Sequence, residues 1–200
     1  MSNKRPDVVT LKNVRLSYPH LFEAHASNED ASPKFGASFL IDPTTTDGQA
    51  NIARIEEALD YAAIKTWKTK DKADKIRKTL LPARTGLRDG DAQVNSDGDQ
   101  VAGYEGMMFV SASNRKRPKV LRRDKSVIDS TDSAEIYGGC YVNAVLSVWG
   151  TDQKKLGGNG LFFTLEIVQF VKDGEPFGAG PLNEDDYLDD LGDDEDDLLD

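Results

Sequence analysis

A single cysteine, Cys140, stands in the whole chain, so no internal disulfide can staple the fold. It sits in an apolar stretch, where it reads as a small buried hydrophobe in a reducing compartment and not as a reactive thiol. Histidine is nearly as scarce: His20 and His25, with one distant cysteine, make no zinc set. No apolar run approaches the ~20 residues a membrane span needs. The start, MSNKRPDVVTLKNV, has basic residues with no apolar stretch behind them, so no secretory signal is expected there. Two chemical signatures are also missing, the Gly-x-x-x-x-Gly-Lys-Ser/Thr phosphate cradle and the Gly-x-Ser-x-Gly nucleophile elbow; Lys154-Lys155-Leu156-Gly157-Gly158 has its glycines in the wrong order. Asn95-Ser96-Asp97-Gly98-Asp99 begins like a calcium loop, but Gln100 and Gly106 stand where glycine and glutamate are required. No metal and no cofactor is expected.

The most informative absence is local. Residues 183–200 contain no Lys or Arg and eleven carboxylates: Glu184, Asp185, Asp186, Asp189, Asp190, Asp193, Asp194, Glu195, Asp196, Asp197 and Asp200. The whole chain has 25 basic and 35 acidic side chains, a net of -10. Without that segment, residues 1–182 hold 25 basic against 24 acidic, a net of +1. The low isoelectric point therefore belongs to the tail, and the body is nearly neutral with concentrated basic segments. Charge this dense repels itself and buries too little apolar surface to fold. The expected organisation is one domain over 1–182 and a disordered acidic tail over 183–200. Such a tail can tether basic partners or compete for the body's own anion site.

Periodicity places the elements. Residues 8–18 alternate as a strand with mixed faces, and 35–41 form a second strand closed by Asp42-Pro43. Thr46-Asp47-Gly48-Gln49 has capping-box spacing, and Ile52, Ile55, Leu59, Ala62 and Ala63 recur behind it, predicting an amphipathic helix over 48–68. DKADKIRKTL reads as a short basic helix ended by Pro82, and the Gly- and Asp-rich stretch 87–104 as a long loop. Strands are predicted over 106–113, 137–149 and 160–171, the last two as an antiparallel pair. About five strands and one main helix point to a small curved β-barrel or open sheet.

The sharpest constellation is Arg115, Lys116, Arg117, Lys119, Arg122, Arg123 and Lys125, seven cations with one acid in eleven residues. Between strands, it reads as a flexible basic loop able to reach phosphates, or as a merely solvated one. In the strand that follows, period two puts Cys140, Val142, Ala144, Leu146 and Val148 on a core face. Tyr137, Tyr141 and Trp149 fall on the other face with Asn143 and Ser147. Rings beside cations suit a single-stranded nucleic acid, because bases stack on the rings while cations follow the backbone. Gly138-Gly139 would let this strand bend or bulge, or let a ligand approach it. The bland alternative packs the rings into a second core layer or a dimer partner.

The ordered set LKNVRLSYPHLFE, FGASFLID, GYEGMMFVSASNRKRP, IYGGCYVNAVLSVWG and GNGLFFTLEIVQFVKDGEPFG, closed by an acidic tail, resembles a family of single-stranded DNA-binding proteins of tailed bacteriophages. The resemblance covers about residues 8–178. It implies an OB-fold-like barrel and binding to single strands without sequence preference in the cytoplasm of a bacterial host. It further implies roles in phage replication, recombination and repair, with the tail contacting replication and recombination proteins and restraining DNA binding. A homodimer is an option from the resemblance alone. One departure stands out: the chain finishes Leu198-Leu199-Asp200, where acidic tails of better-known single-stranded DNA-binding proteins often end on an aromatic residue.

The leading expectation is thus a non-enzymatic single-stranded DNA-binding protein, mainly β with one main helix. Two rivals remain at this level: an interaction module that works through its acidic arm and ignores DNA, and a metal-dependent nuclease using Asp89, Asp91, Asp97 and Asp99. RNA as ligand also remains open, since stacking and phosphate contacts do not read the 2′-hydroxyl.

Overall fold

In the computed structural model, the described residues are 5–177 apart from 27, 28, 30 and 96. Their elements run β1 (Val8–His25), β2 (Lys34–Ile41), α1 (Thr46–Trp67), α2 (Lys70–Arg77), β3 (Leu87–Asp89), β4 (Met108–Asn114), β5 (Lys119–Leu121), β6 (Tyr141–Thr151) and β7 (Gly160–Lys172). The strands lie in the order β3-β4-β2-β1-β6-β7-β5. A further parallel pairing, Ala112 with Phe163 and Ser113 with Thr164, joins β4 to β7 and closes five strands into a barrel. This is the OB-fold-like barrel expected, with β3 and β5 added at its margins.

Alternation explains the core. Val142, Ala144, Leu146 and Val148 of β6 face Leu161, Phe163, Leu165 and Val168 of β7 inside the barrel, and all are buried together with Cys140. On α1, Ile55, Ala58, Leu59, Ala62, Ala63 and Trp67 form the buried stripe that packs against β1 and β6. The helix starts one residue earlier than its capping pattern predicts. Thr45, not Thr46, is the N-cap, and its side chain accepts the Gly48 amide. The basic helix α2 is present, capped by Thr69, and ends at Arg77, before Pro82.

Three expectations are corrected. β1 does not stop at Tyr18 but continues to His25, so the histidines lie on a strand paired with β2. Its mixed faces come from register shifts after Leu11 and Ser17, where Asn13 and Tyr18 adopt left-handed backbone (φ 51° and 47°). Next, the stretch 87–104 is only partly loop, since β3 pairs with β4. Beyond β3 this segment crosses the outer face of β2 and β4, where Tyr104 packs edge-on against Phe109 beside Leu40. It thereby roofs one half of that face and leaves the other half open. Lastly, β6 begins at Tyr141 and not at 137, because Gly139 takes φ 111°. A Cβ there would meet the Glu175 carbonyl at 2.2 Å, so the close approach at the paired glycines is made by the chain itself.

Candidate nucleic-acid interface

The open half of the β2–β4 face is the floor of a groove of about 980 Å³ that crosses the closure of the barrel. Gly36, Ser38, Ser111 and Ser113 point outward along it, opposite Ala37 and Ala112 on the core side. Small side chains leave the floor low, so a chain laid across it approaches the sheet closely. Ser38 and Ser111 hydrogen-bond through their hydroxyls at 2.8 Å and tie the two strands together. The far end of β1 supplies one wall with Tyr18, His20 and His25, and β7 supplies Phe162 and Thr164. Leu156, Trp149, Arg84 and Arg88 complete the other side.

The charge of this lining is one-sided. Lys34, Arg84, Arg88 and Arg115 border the groove, and among its described lining residues there is no Asp or Glu. Four cations with no carboxylate among the described lining residues make a local positive field on a body whose net charge is only +1. Arg88 lies over the Phe109 ring at 4.2 Å and donates to the Ser111 hydroxyl; its burial pulls the guanidinium pKa below the ordinary arginine value. Aromatic surface runs beside the charge. Tyr18 is 57% exposed, thrown outward by its left-handed backbone, and Trp149 is 41% exposed against Phe162, with ring centroids 5.0 Å apart. His20 and His25 stack at 4.3 Å with their planes 10° apart. Burial, and then the neighbouring His25, hold the His20 imidazole below the usual histidine value.

The residues singled out from sequence divide. Arg115 and Trp149 line the groove. Lys116, Arg117 and Lys119 are exposed and carry positive charge onward from Arg115, with Arg117 lying 5.0 Å over the Phe22 ring. The segment is not a flexible loop. β5 pairs in parallel with β7, and Ile128 donates its amide back to Val120, making a hairpin around the exposed Arg123 and Lys125. Pro118, Val120 and Ile128 are buried beneath the cations, and that apolar spacing orders the segment. Arg122 is committed inside this hairpin, where it donates to Glu135 (2.6 and 2.7 Å) and to Asp132 (2.7 Å).

The predicted rings do not gather. Tyr141 and Trp149 share an outer face of β6, but eight residues at roughly 3.3 Å each separate them by about 26 Å. Tyr141 lines a different cleft near the start of α1, with Lys172 at 4.5 Å from its ring. Tyr137 lies before the Gly139 break and donates its hydroxyl to Asp173 at 2.9 Å, so it secures the chain after β7. Tyr18, Lys34, Phe35, Arg84, Arg88 and Phe162 were not picked out in the sequence. Period-two reading of β7 could have placed Phe162 outward, opposite Phe163; nothing local marks Arg84 or Arg88. The acidic residues from Glu184 to Asp200 lie outside the described residues. In the Asp-rich segment, Asp89 caps the Asp91 amide and Asp91 accepts the Gly106 amide at 2.7 Å, which is the work of turn formers.

The family model of the Enterobacter phage Enc34 ssDNA-binding protein matches residues 7–199. The chain belongs to this family. A relative, protein p50 of Acyrthosiphon pisum secondary endosymbiont phage 1, is 35% identical over 185 residues, 92% of this chain and 93% of that one. Among solved structures, the bacteriophage Enc34 protein in complex with ssDNA superposes with a TM-score of 0.70 at 27% identity, covering 88% of this chain and 97% of its own. A C-terminal truncation of the same Enc34 protein gives 0.67 at 28% identity, over 88% and 96%. The single-stranded DNA-binding protein gp2.5 of bacteriophage T7, 12% identical with a TM-score of 0.52 over 95% of this chain and 99% of its own, shares the fold. Membership in the Enc34 family thus extends over the barrel and into the acidic segment.

Proposed function

We propose that this protein binds single-stranded DNA without sequence preference, in the groove across β2, β4 and β7. The observation that carries the reading is a one-sided lining, four cations and several rings with no carboxylate among the described lining residues, on the barrel of a family whose Enc34 member is seen with ssDNA. Cations neutralise phosphates while exposed rings offer stacking surfaces that every base can use. Arg115 begins a track in which Lys116, Arg117 and Lys119, with Arg123 and Lys125 at the hairpin tip, extend the path of the backbone beyond the groove. The protein acts without catalysis in the host cytoplasm, coating single strands during phage replication, recombination and repair. Residues 1–182 form the binding domain. The eleven carboxylates of 183–200 compete with DNA for the groove and contact replication and recombination proteins.

A titration with an unstructured thymidine oligonucleotide, with duplex DNA and a uridine oligonucleotide as competitors, tests this reading. If four to six phosphates are neutralised, log K against log salt should fall with a slope of about -3 to -4, from roughly -0.7 per phosphate. A chain truncated after Leu182 should bind more tightly than the full chain at low salt. Absence of binding by both forms at low salt would overturn the reading, and stronger competition by uridine would make RNA the ligand.

The stacked histidines add a pH dependence. A phosphate beside His20 favours its charged form, so binding should take up protons. Affinity is expected to rise as pH falls from about 7.5 to about 5.5, by less than about tenfold, since one unit of pKa shift is a tenfold change. Stability should move the other way: His20 is depressed in the folded chain, so its contribution is present above the ordinary histidine value and is lost as pH falls. Titrations of the His20→Asn variant should lose the rise in affinity; a rise that persists would assign it to other groups.

A further inference from the structure

Arg84 borders the groove, yet most of its hydrogen-bonding capacity is turned away from any ligand. Its Nε donates to the Asn159 carbonyl at 2.7 Å, and its Nη2 donates to the carbonyls of Leu156 and Gly158 at 3.0 and 2.9 Å. These three acceptors lie on the connection between β6 and β7. The Cζ of the same guanidinium lies over the Phe162 ring, 5.0 Å from its centroid, and Phe162 in turn packs against Trp149. Gly160 permits this arrangement, because a Cβ there would lie 2.6 Å from the Phe162 ring and 3.0 Å from Arg84 Nε. From the other side, Asn159 is anchored to the core, where its side chain accepts the Trp67 indole N–H at 3.1 Å.

We propose that Arg84 is a positioning residue for the interface: it ties the β6–β7 connection down and holds the Phe162–Trp149 pair upright as the wall of the groove. The proposal rests on the reading of the groove as the single-strand site, and it goes further by giving one of its four bordering cations a role other than phosphate contact. A guanidinium can do this and an ammonium cannot, since the task needs a planar fork directed at several carbonyls and a face that stacks on a ring. The two roles therefore separate on charge. A phosphate contact survives replacement by lysine, whereas a fork that orders a loop does not.

The experiment compares Arg84→Lys, Gly160→Ala and Lys34→Ala with the full chain, using a fluorescein-labelled thymidine oligonucleotide at several salt concentrations. Acrylamide quenching of tryptophan in the DNA-free proteins is read alongside. The expected result is that Arg84→Lys and Gly160→Ala, neither of which removes a charge, each weaken binding about tenfold, on the order of one lost stacking contact, with the salt slope unchanged. Both should also make Trp149 more accessible to acrylamide, while Lys34→Ala lowers the slope by about 0.7 without altering quenching. Gly160→Ala serves as the second route to the same disturbance should one variant be unstable, and thermal unfolding identifies that case. Wild-type affinity in Arg84→Lys with unchanged quenching would overturn the proposal and return Arg84 to phosphate contact. If even the unmodified chain fails to bind, the reading of the groove fails, whereas the quenching comparison still decides whether Arg84 holds the wall.

Discussion

Trp149→Ala is expected to weaken thymidine-oligonucleotide binding by about 5- to 140-fold, the range that loss of one base–ring stack at ~1–3 kcal/mol implies. The chain has two tryptophans, and they have opposite environments. Trp67 is 2% exposed in the core, and Trp149 is 41% exposed at the groove. Any quenching of intrinsic fluorescence by DNA should therefore come from Trp149 and vanish in this variant. Phe162 would lose its packing partner, so part of the effect would pass through the neighbouring ring. The salt slope separates the causes: removal of an uncharged ring should leave it unchanged, because no phosphate contact is lost. Binding within twofold of the unmodified chain, with quenching retained, would show that the rings face solvent for some other reason and that the cations act alone.

The largest effect on stability is expected from Trp67→Ala. This side chain ends the buried stripe of α1, and its indole N–H reaches across to Asn159 in the β6–β7 connection. Removing it deletes a large buried ring and leaves a cavity that the barrel cannot fill, at a cost of about 3–5 kcal/mol. For a chain of this size the midpoint of thermal unfolding should fall by roughly 6–20 °C. Trp67→Phe keeps most of the buried ring and loses the hydrogen bond to the exposed Asn159 side chain with a small part of the volume, so it should cost about 1–2 kcal/mol. Calorimetry on both variants checks the ordering. Equal losses would mean that the bond to Asn159, and not the packing of the ring, carries the stabilisation.

The two residues also show where local pattern stops informing. Trp149 stands out in a period-two strand, and its outward direction is legible there because alternation in a strand is a property of the backbone itself. Which neighbours it meets is not. Tyr141 carries the same signal on the same face of the same strand, yet it borders another cleft with Lys172. Tyr137 carries it too, but one left-handed glycine breaks the alternation before the strand begins. The basic segment 115–125 was equally visible as charge. Its order as a hairpin depended on pairing with β7, nearly fifty residues later in the chain, and on Arg122 being taken by Asp132 and Glu135.

The sequence by itself determined the acidic segment, the amphipathic α1, the core face of β6, the β6–β7 pair and, through its ordered motifs, the barrel and the family. Each of these depends on spacing within one element or on composition over a stretch, and both survive without knowledge of the partner. Only the tertiary structure decided the groove. Its floor comes from β2 and β4, its rings from β1, β6 and β7, and Arg84 and Arg88 from the segment after α2. These are brought together by closing β4 against β7, a contact between residues about fifty positions apart. A one-sided lining is a property of that closure, because no single segment contains the cations, the rings and the small-residue floor at once.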